Sequence, residues 1–172
     1  MRLSAHSQHG FSTVELTVAV AIVLVFAGVL LDRLLFYQEA AEKARMELEV
    51  TALKLALQVQ VGTRIAEHRR VDYPVLALEN PVRWLDAPMA GYRGEPGPQE
   101  AQLLPGGSWY FDRGSRELVY VPRLRRHLHA DGIDPNDVRF RVQVMRAEAG
   151  AGKDDLATVG LRLAPVAAYR WF

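Results

Sequence analysis

Glu15 is the residue whose chemistry most needs an explanation. It is the only formally charged side chain between Phe11 and Leu31. A carboxylate held at bilayer depth costs on the order of 3 kcal/mol on insertion scales, so it must pair with a cation or reach the interface. A second group of candidate ligands lies far along the chain, where Asp131, Asp134, Asn136 and Asp137 supply oxygen atoms from one loop. Their spacing does not reproduce the alternating donors and distal glutamate of an EF-hand calcium loop, and as residue types they read as turn formers and a helix cap. Arg123, Arg125, Arg126, His127 and His129 form a basic cluster of the kind that touches nucleic acid or anionic lipid. Acidic residues stand close by, so the cluster reads as a solvated loop, and no nucleic-acid partner is expected. There is no H-E-x-x-H, no P-loop and no thiol, and Gly106-Gly107-Ser108 is not a nucleophile elbow. The expectation is a protein that is not an enzyme.

The elements that would position Glu15 follow from patterning. From Phe11 to Leu31 the chain is apolar for about 20 residues, long enough to cross a hydrocarbon core as a helix. Asp32 and Arg33 then suit an interface, and Tyr37 is the amphipathic ring found at membrane boundaries. Helix-forming residues continue from Gln38 to His68 without proline, and without glycine before Gly62. One helix from about Ser12 to about Ala66 is therefore expected. Its outer half carries two opposed apolar stripes, Met46, Val50, Leu53, Leu57 and Val61 on one side and Leu48, Ala52, Leu55 and Val59 on the other. One stripe suffices to cap a sheet; the second calls for more of the same domain or for neighbouring subunits. The stripes hold no strict heptad, which disfavours a coiled-coil dimer.

Residues 71–107 are broken by Pro74, Pro81, Pro88, Pro96, Pro98 and Pro105, so continuous helix or central strand is not expected there. The apolar residues among them, Trp84 and Tyr92 included, imply a loop packed on the domain, with Asn80-Pro81 starting a short helical turn. Beyond, Ser108–Asp112 and Glu117–Val121 flank Arg113-Gly114-Ser115-Arg116 as a hairpin. Val138, Phe140, Val142 and Val144 alternate with polar partners as a strand with one buried face, and a last strand is placed at about 157–163. The aromatic ending Tyr169-Arg170-Trp171-Phe172 is expected to pack against the domain. Lys+Arg at 21 against Asp+Glu at 20 gives a formal charge of +1, and cysteine is absent. Neither thiolate metal ligation nor a disulfide framework can hold the fold.

The short polar leader ending in Gly10, followed by Phe11, a hydroxyl residue, Glu15 and an apolar helix, resembles the class III signal of type IV pilins and type II secretion pseudopilins. The likeness is specific over residues 10–31 and continues more weakly through the long helix into Trp109-Tyr110-Phe111-Asp112. Two features depart from it: Gln8 and His9 stand where a basic residue is common, and no proline interrupts the apolar helix. The resemblance implies an α+β fold in which a long N-terminal helix spans the membrane with its first half and packs with its second half on a small C-terminal antiparallel sheet. It divides the chain into a leader (1–10), a transmembrane and filament-core helix (11–37) and a globular domain (38–172).

It further implies cleavage between Gly10 and Phe11 by a prepilin peptidase, N-methylation of Phe11, and docking through Glu15. The new Phe11 amine stays cationic near neutral pH, so Glu15 could pair with it in the same chain or in a neighbour. The implied partners are other pilin or pseudopilin subunits, the peptidase, an inner-membrane assembly platform and the lipid bilayer. The implied location is a bacterial inner membrane, N-terminus cytoplasmic, with the domain periplasmic or, in a filament, extracellular. Some pseudopilins bind calcium through C-terminal loops, which makes Asp131, Asp134 and Asp137 calcium candidates by resemblance; no other cofactor is implied. The competing expectation is a single-pass anchored periplasmic binding module that does not polymerise.

Overall fold

The computed structural model describes residues 12–67, 71–131, 137–146 and 158–172. Gly10, Phe11, Asp134, Asn136 and the leader lie outside the described residues. The chain divides into two compact units, Met1–Gln38 and Glu39–Phe172. One helix, α1 (Thr13–Ala66), runs through both. In the first unit every described residue is exposed, and α1 is the one described helix long and apolar enough to span a membrane. No proline interrupts the apolar run, and Gly28, with nothing near its missing side chain, leaves the helix unbroken.

The second unit is a helix-on-sheet layer, so the architecture is α+β. Strands β1 (Ser108–Asp112), β2 (Glu117–Val121), β4 (Val138–Arg146) and β5 (Thr158–Pro165) form an antiparallel sheet in the order β1-β2-β4-β5. A separate two-stranded sheet pairs β3 (Leu128–Ala130) with β6 (Tyr169–Trp171). The expected hairpin has Trp109 opposite Tyr120 and Phe111 opposite Leu118. Register then carries the core face across the sheet, because Phe140 lies opposite Leu118 and Val142 opposite Leu163. β5, expected to end at about residue 163, runs two residues further to Pro165, which as the final residue of an edge strand is tolerated there. The β3–β6 pair was not expected; three-residue strands are too short for a period-two pattern to show.

Met46, Val50, Leu53 and Leu57 of α1 are buried against Trp109, Leu118, Tyr120, Val138, Phe140, Val142, Leu163 and Trp171. Each such leucine contributes roughly 2 kcal/mol by leaving water. Trp109 anchors the aromatic centre, with ring centroids 4.7 Å from Tyr120 and 5.9 Å from Phe140.

The proline-rich region is packed and partly helical. Its first piece, α2 (Tyr73–Leu78), carries Pro74 in its opening turn and is capped by Asp72, a six-residue helix and not the continuous one the prolines argue against. Asn80 caps the 3-10 turn Pro81–Trp84 through its own side chain, accepting from the Val82 N–H at 3.1 Å. A third short helix, α3 (Pro98–Ala101), follows. Asn80 also donates to the Tyr92 hydroxyl at 2.6 Å and to Glu95 at 2.9 Å, while Arg83 and Arg113 pair with Glu95. These bonds fix the backbone at 91–94 along the outer edge of β1, where Trp109 N–H donates to Gly91 and Arg93 N–H to Trp109. Gly91 is required, since its φ is +73° and a side chain there would meet the Gly107 carbonyl oxygen at 2.7 Å.

Candidate assembly surface and its carboxylate clamp

Glu15 stands in the first turn of α1, where a carboxylate complements the helix N-terminus. Its turn is closed by Leu16 N–H on the Ser12 carbonyl at 3.0 Å and by the Thr17 hydroxyl on the Thr13 carbonyl at 2.8 Å. Glu15 itself is exposed and makes no hydrogen bond or ion pair with any described residue. The expected partner, the Phe11 amine, lies outside the described residues. Along the first unit's part of α1 the apolar side chains are equally open, Val14 at 70% and Phe26 at 65% exposure among them.

The outer half of α1 separates its two stripes. The domain covers Met46, Val50, Leu53 and Leu57, and leaves Leu48, Ala52, Leu55 and Val59 exposed, Leu48 at 70%. Of the two expected uses for the second stripe, wrapping by the same domain is thereby corrected: the sheet is one layer and reaches one side of the helix. Ala41 and Ala44 continue the open stripe by helical spacing and are exposed too.

The covered stripe continues in the other direction into carboxylates. Glu39 lies seven residues before Met46 and Glu42 four before it, so both face the domain. Glu39 is 2% exposed, and it accepts from the His127 N–H at 2.9 Å, the His127 ring at 2.8 Å and the Trp171 indole at 3.0 Å. Glu42 accepts from the Tyr120 hydroxyl at 2.8 Å and from the backbone N–H groups of Arg123 and Leu124 at 2.6 and 3.0 Å. Glu49 takes the Trp109 indole N–H, and Lys43 donates to the Trp171 carbonyl at 3.0 Å. Three helix carboxylates thus hold β1, the segment after β2, and β6. Sequence reasoning missed this clamp, although the seven-residue spacing from Met46 marks Glu39 as an acid on the covered stripe.

Burial pushes the Glu39 carboxyl up, but the backbone and ring of His127 and the Trp171 indole outweigh it and hold the group below its ordinary range. At Glu49 burial wins over the Trp109 bond and Arg45, and the carboxyl is raised. Tyr120 is raised strongly by burial and by its bond to Glu42.

Of the calcium candidates, Asp131 is exposed at the end of β3 with its N–H on the Ala168 carbonyl, and Asp137 faces Arg139 at 3.8 Å. No cluster of three His, Cys, Asp or Glu able to hold a metal occurs among the described residues. What the described residues show is exposed apolar surface along α1 with Glu15 at its head. No protein-family model, no curated protein and no solved structure matches this chain.

Proposed function

We propose that this protein is a subunit of a type IV pilus-like or type II secretion pseudopilus filament, a pseudopilin or minor pilin without enzymatic activity. A prepilin peptidase removes the leader after Gly10, the Phe11 amine is methylated, and the subunit waits in a bacterial inner membrane with its N-terminus cytoplasmic. An inner-membrane assembly platform then draws it into a helical array with other subunits. Glu15 pairs with the Phe11 amine of the preceding subunit, which offsets the burial of both groups and fixes axial register.

The observation that carries this reading is the open stripe Leu48, Ala52, Leu55 and Val59. A solitary anchor needs an apolar surface only within the bilayer. Here apolar side chains stay exposed on the helix of the folded unit as well, and exposed apolar area of this kind marks an interaction surface. Neighbouring helices in a filament would cover both.

Processing is the test. Co-expression with a prepilin peptidase should yield a chain whose N-terminal peptide, by mass spectrometry, begins at a methylated Phe11. An intact leader would contradict the filament reading and leave the anchored, non-polymerising module.

A further inference from the structure

One edge of the four-stranded sheet is closed and the other is open. Along β1, residues 91–94 take the outward bonds: Trp109 N–H donates to the Gly91 carbonyl, Phe111 N–H to that of Gly94, and Arg93 N–H to that of Trp109. At the other end of the strand order stands β5, which pairs with β4 alone. Val166 N–H donates to the Arg139 carbonyl at 2.8 Å, and the register sets Ala164 opposite Arg141 and Arg162 opposite Gln143. Successive residues of a strand turn their N–H and C=O to opposite sides, so Ala164 and Arg162 face β4. Leu161 and Leu163 therefore direct their N–H and C=O outward, as Pro165 does its carbonyl. Among the described residues no backbone group from another element takes these bonds. An open edge of this kind is a template for another extended chain.

The edge borders a cleft of about 370 Å³, walled by Leu161, Leu163 and Pro165 on one side and by Lys54, Leu57 and Gln58 of α1 on the other. An added strand would alternate its side chains between this cleft and the reverse face of the sheet. Cations stand on both. Lys54, on the cleft side, is exposed and has no ion-pair partner among the described residues. Arg162 lies on the reverse face, where it donates to Gln143 Oε1 at 3.1 and 3.2 Å, and that neutral acceptor leaves the guanidinium charge uncompensated. No carboxylate lines the cleft. A second copy adding its own β5 about a two-fold axis would bring Lys54 and Arg162 toward their own counterparts, and like charges across a strand pair are destabilising.

We propose that the outer edge of β5 binds an extended, acidic segment of a partner protein by adding it to the sheet as a further strand. Backbone bonds to Leu161 and Leu163 supply the attraction, and Lys54 and Arg162 select carboxylates on the two faces of the segment. The site lies wholly within the folded unit and does not depend on polymerisation.

The probe is a capped, fluorescein-labelled peptide, Glu-Val-Thr-Val-Glu-Val-Glu, added to the full chain in neutral detergent and followed by fluorescence anisotropy. Saturable binding is expected. Two N-methylated versions carry their methyl groups on alternate residues, odd or even. One should bind about tenfold more weakly and the other like the parent, because one set of N–H groups alone faces β5. Lys54→Glu should weaken the parent peptide about fivefold and Arg162→Gln about twofold, while Arg93→Glu, at the closed edge, should leave it unchanged. No saturable binding, equal affinities of the two methylated peptides, or wild-type binding by Lys54→Glu would overturn the proposal. So would a dimer of the chain, seen by sedimentation velocity and dissociated by the peptide, which would give the edge to a second copy.

Discussion

At Glu39 a buried carboxylate keeps its charge because three donors converge on it: the His127 N–H, the His127 ring and the Trp171 indole. Removing the acceptor strands those donors away from water. Glu39→Ala should therefore destabilise the folded unit by about 3 kcal/mol, read by thermal or denaturant unfolding of the chain in detergent. The pH dependence has a definite sign. Glu39 is held below its unfolded value, as are Glu95, chiefly by Asn80 and Arg113, and Asp112, where bonds to Ser115 and Gly114 outweigh burial. Their stabilisation is complete above the ordinary carboxylate range, about pH 4, and is lost as pH falls through the lowered folded values. Glu49, raised by burial, works the other way and softens the acid limb. Melts from pH 7 to pH 3 should show the wild type losing stability below about pH 4, with Glu39→Gln less stable at neutral pH and flatter toward acid. A parallel acid limb in the variant would contradict the assignment. Glu15 stands out in the sequence as a charge in an apolar run. Glu39 was not singled out, because a glutamate among Ala, Gln and Lys looks like an ordinary solvated helix residue until the stripe through Met46 is extended back to it.

The helix α1 is where pattern and structure can be compared most closely. Its bounds, its unbroken passage over Gly28 and the two apolar stripes of its outer half were readable from composition and period, as were the β1–β2 hairpin and the buried face of β4. The short elements were not. The pairing of β3 with β6 joins residues some forty positions apart, and α2 depends on Asp72 and Pro74 acting together as a cap and a first turn. Which stripe the domain would take could not be decided either, since both are apolar at helical spacing; the sheet settles it by covering Leu53 and leaving Leu55. The two leucines should accordingly part company. Leu53→Ala should lower unfolding stability by roughly 2–5 kcal/mol, whereas Leu55→Ala should change it by less than about 0.5 kcal/mol. If the open stripe meets neighbouring subunits, Leu55→Glu should reduce assembly while leaving the melt nearly unchanged. A large loss of stability in Leu55→Ala would mean that the stripe is covered within the chain after all.

For the molecule as a whole, an exposed apolar run and a packed α+β unit share one continuous element, and on the proposed filament reading the same side chains would serve two solvents in turn. In the bilayer, lipid would cover Val14 to Leu35. In a filament, neighbouring helices would cover them together with Leu48 and Leu55, leaving Glu15 in an apolar setting where only an amine compensates its charge. That difference makes Glu15 the residue on which assembly should turn while insertion does not. The decisive measurement is the fate of Glu15→Ala in cells that carry a prepilin peptidase and an assembly platform, followed by sedimentation of sheared filaments and by membrane fractionation. The account predicts that the wild type is recovered in filaments, and that Glu15→Ala is inserted in the membrane at normal levels but absent from them. Filaments containing Glu15→Ala at wild-type abundance, or a wild-type chain that never leaves the membrane fraction, would contradict it.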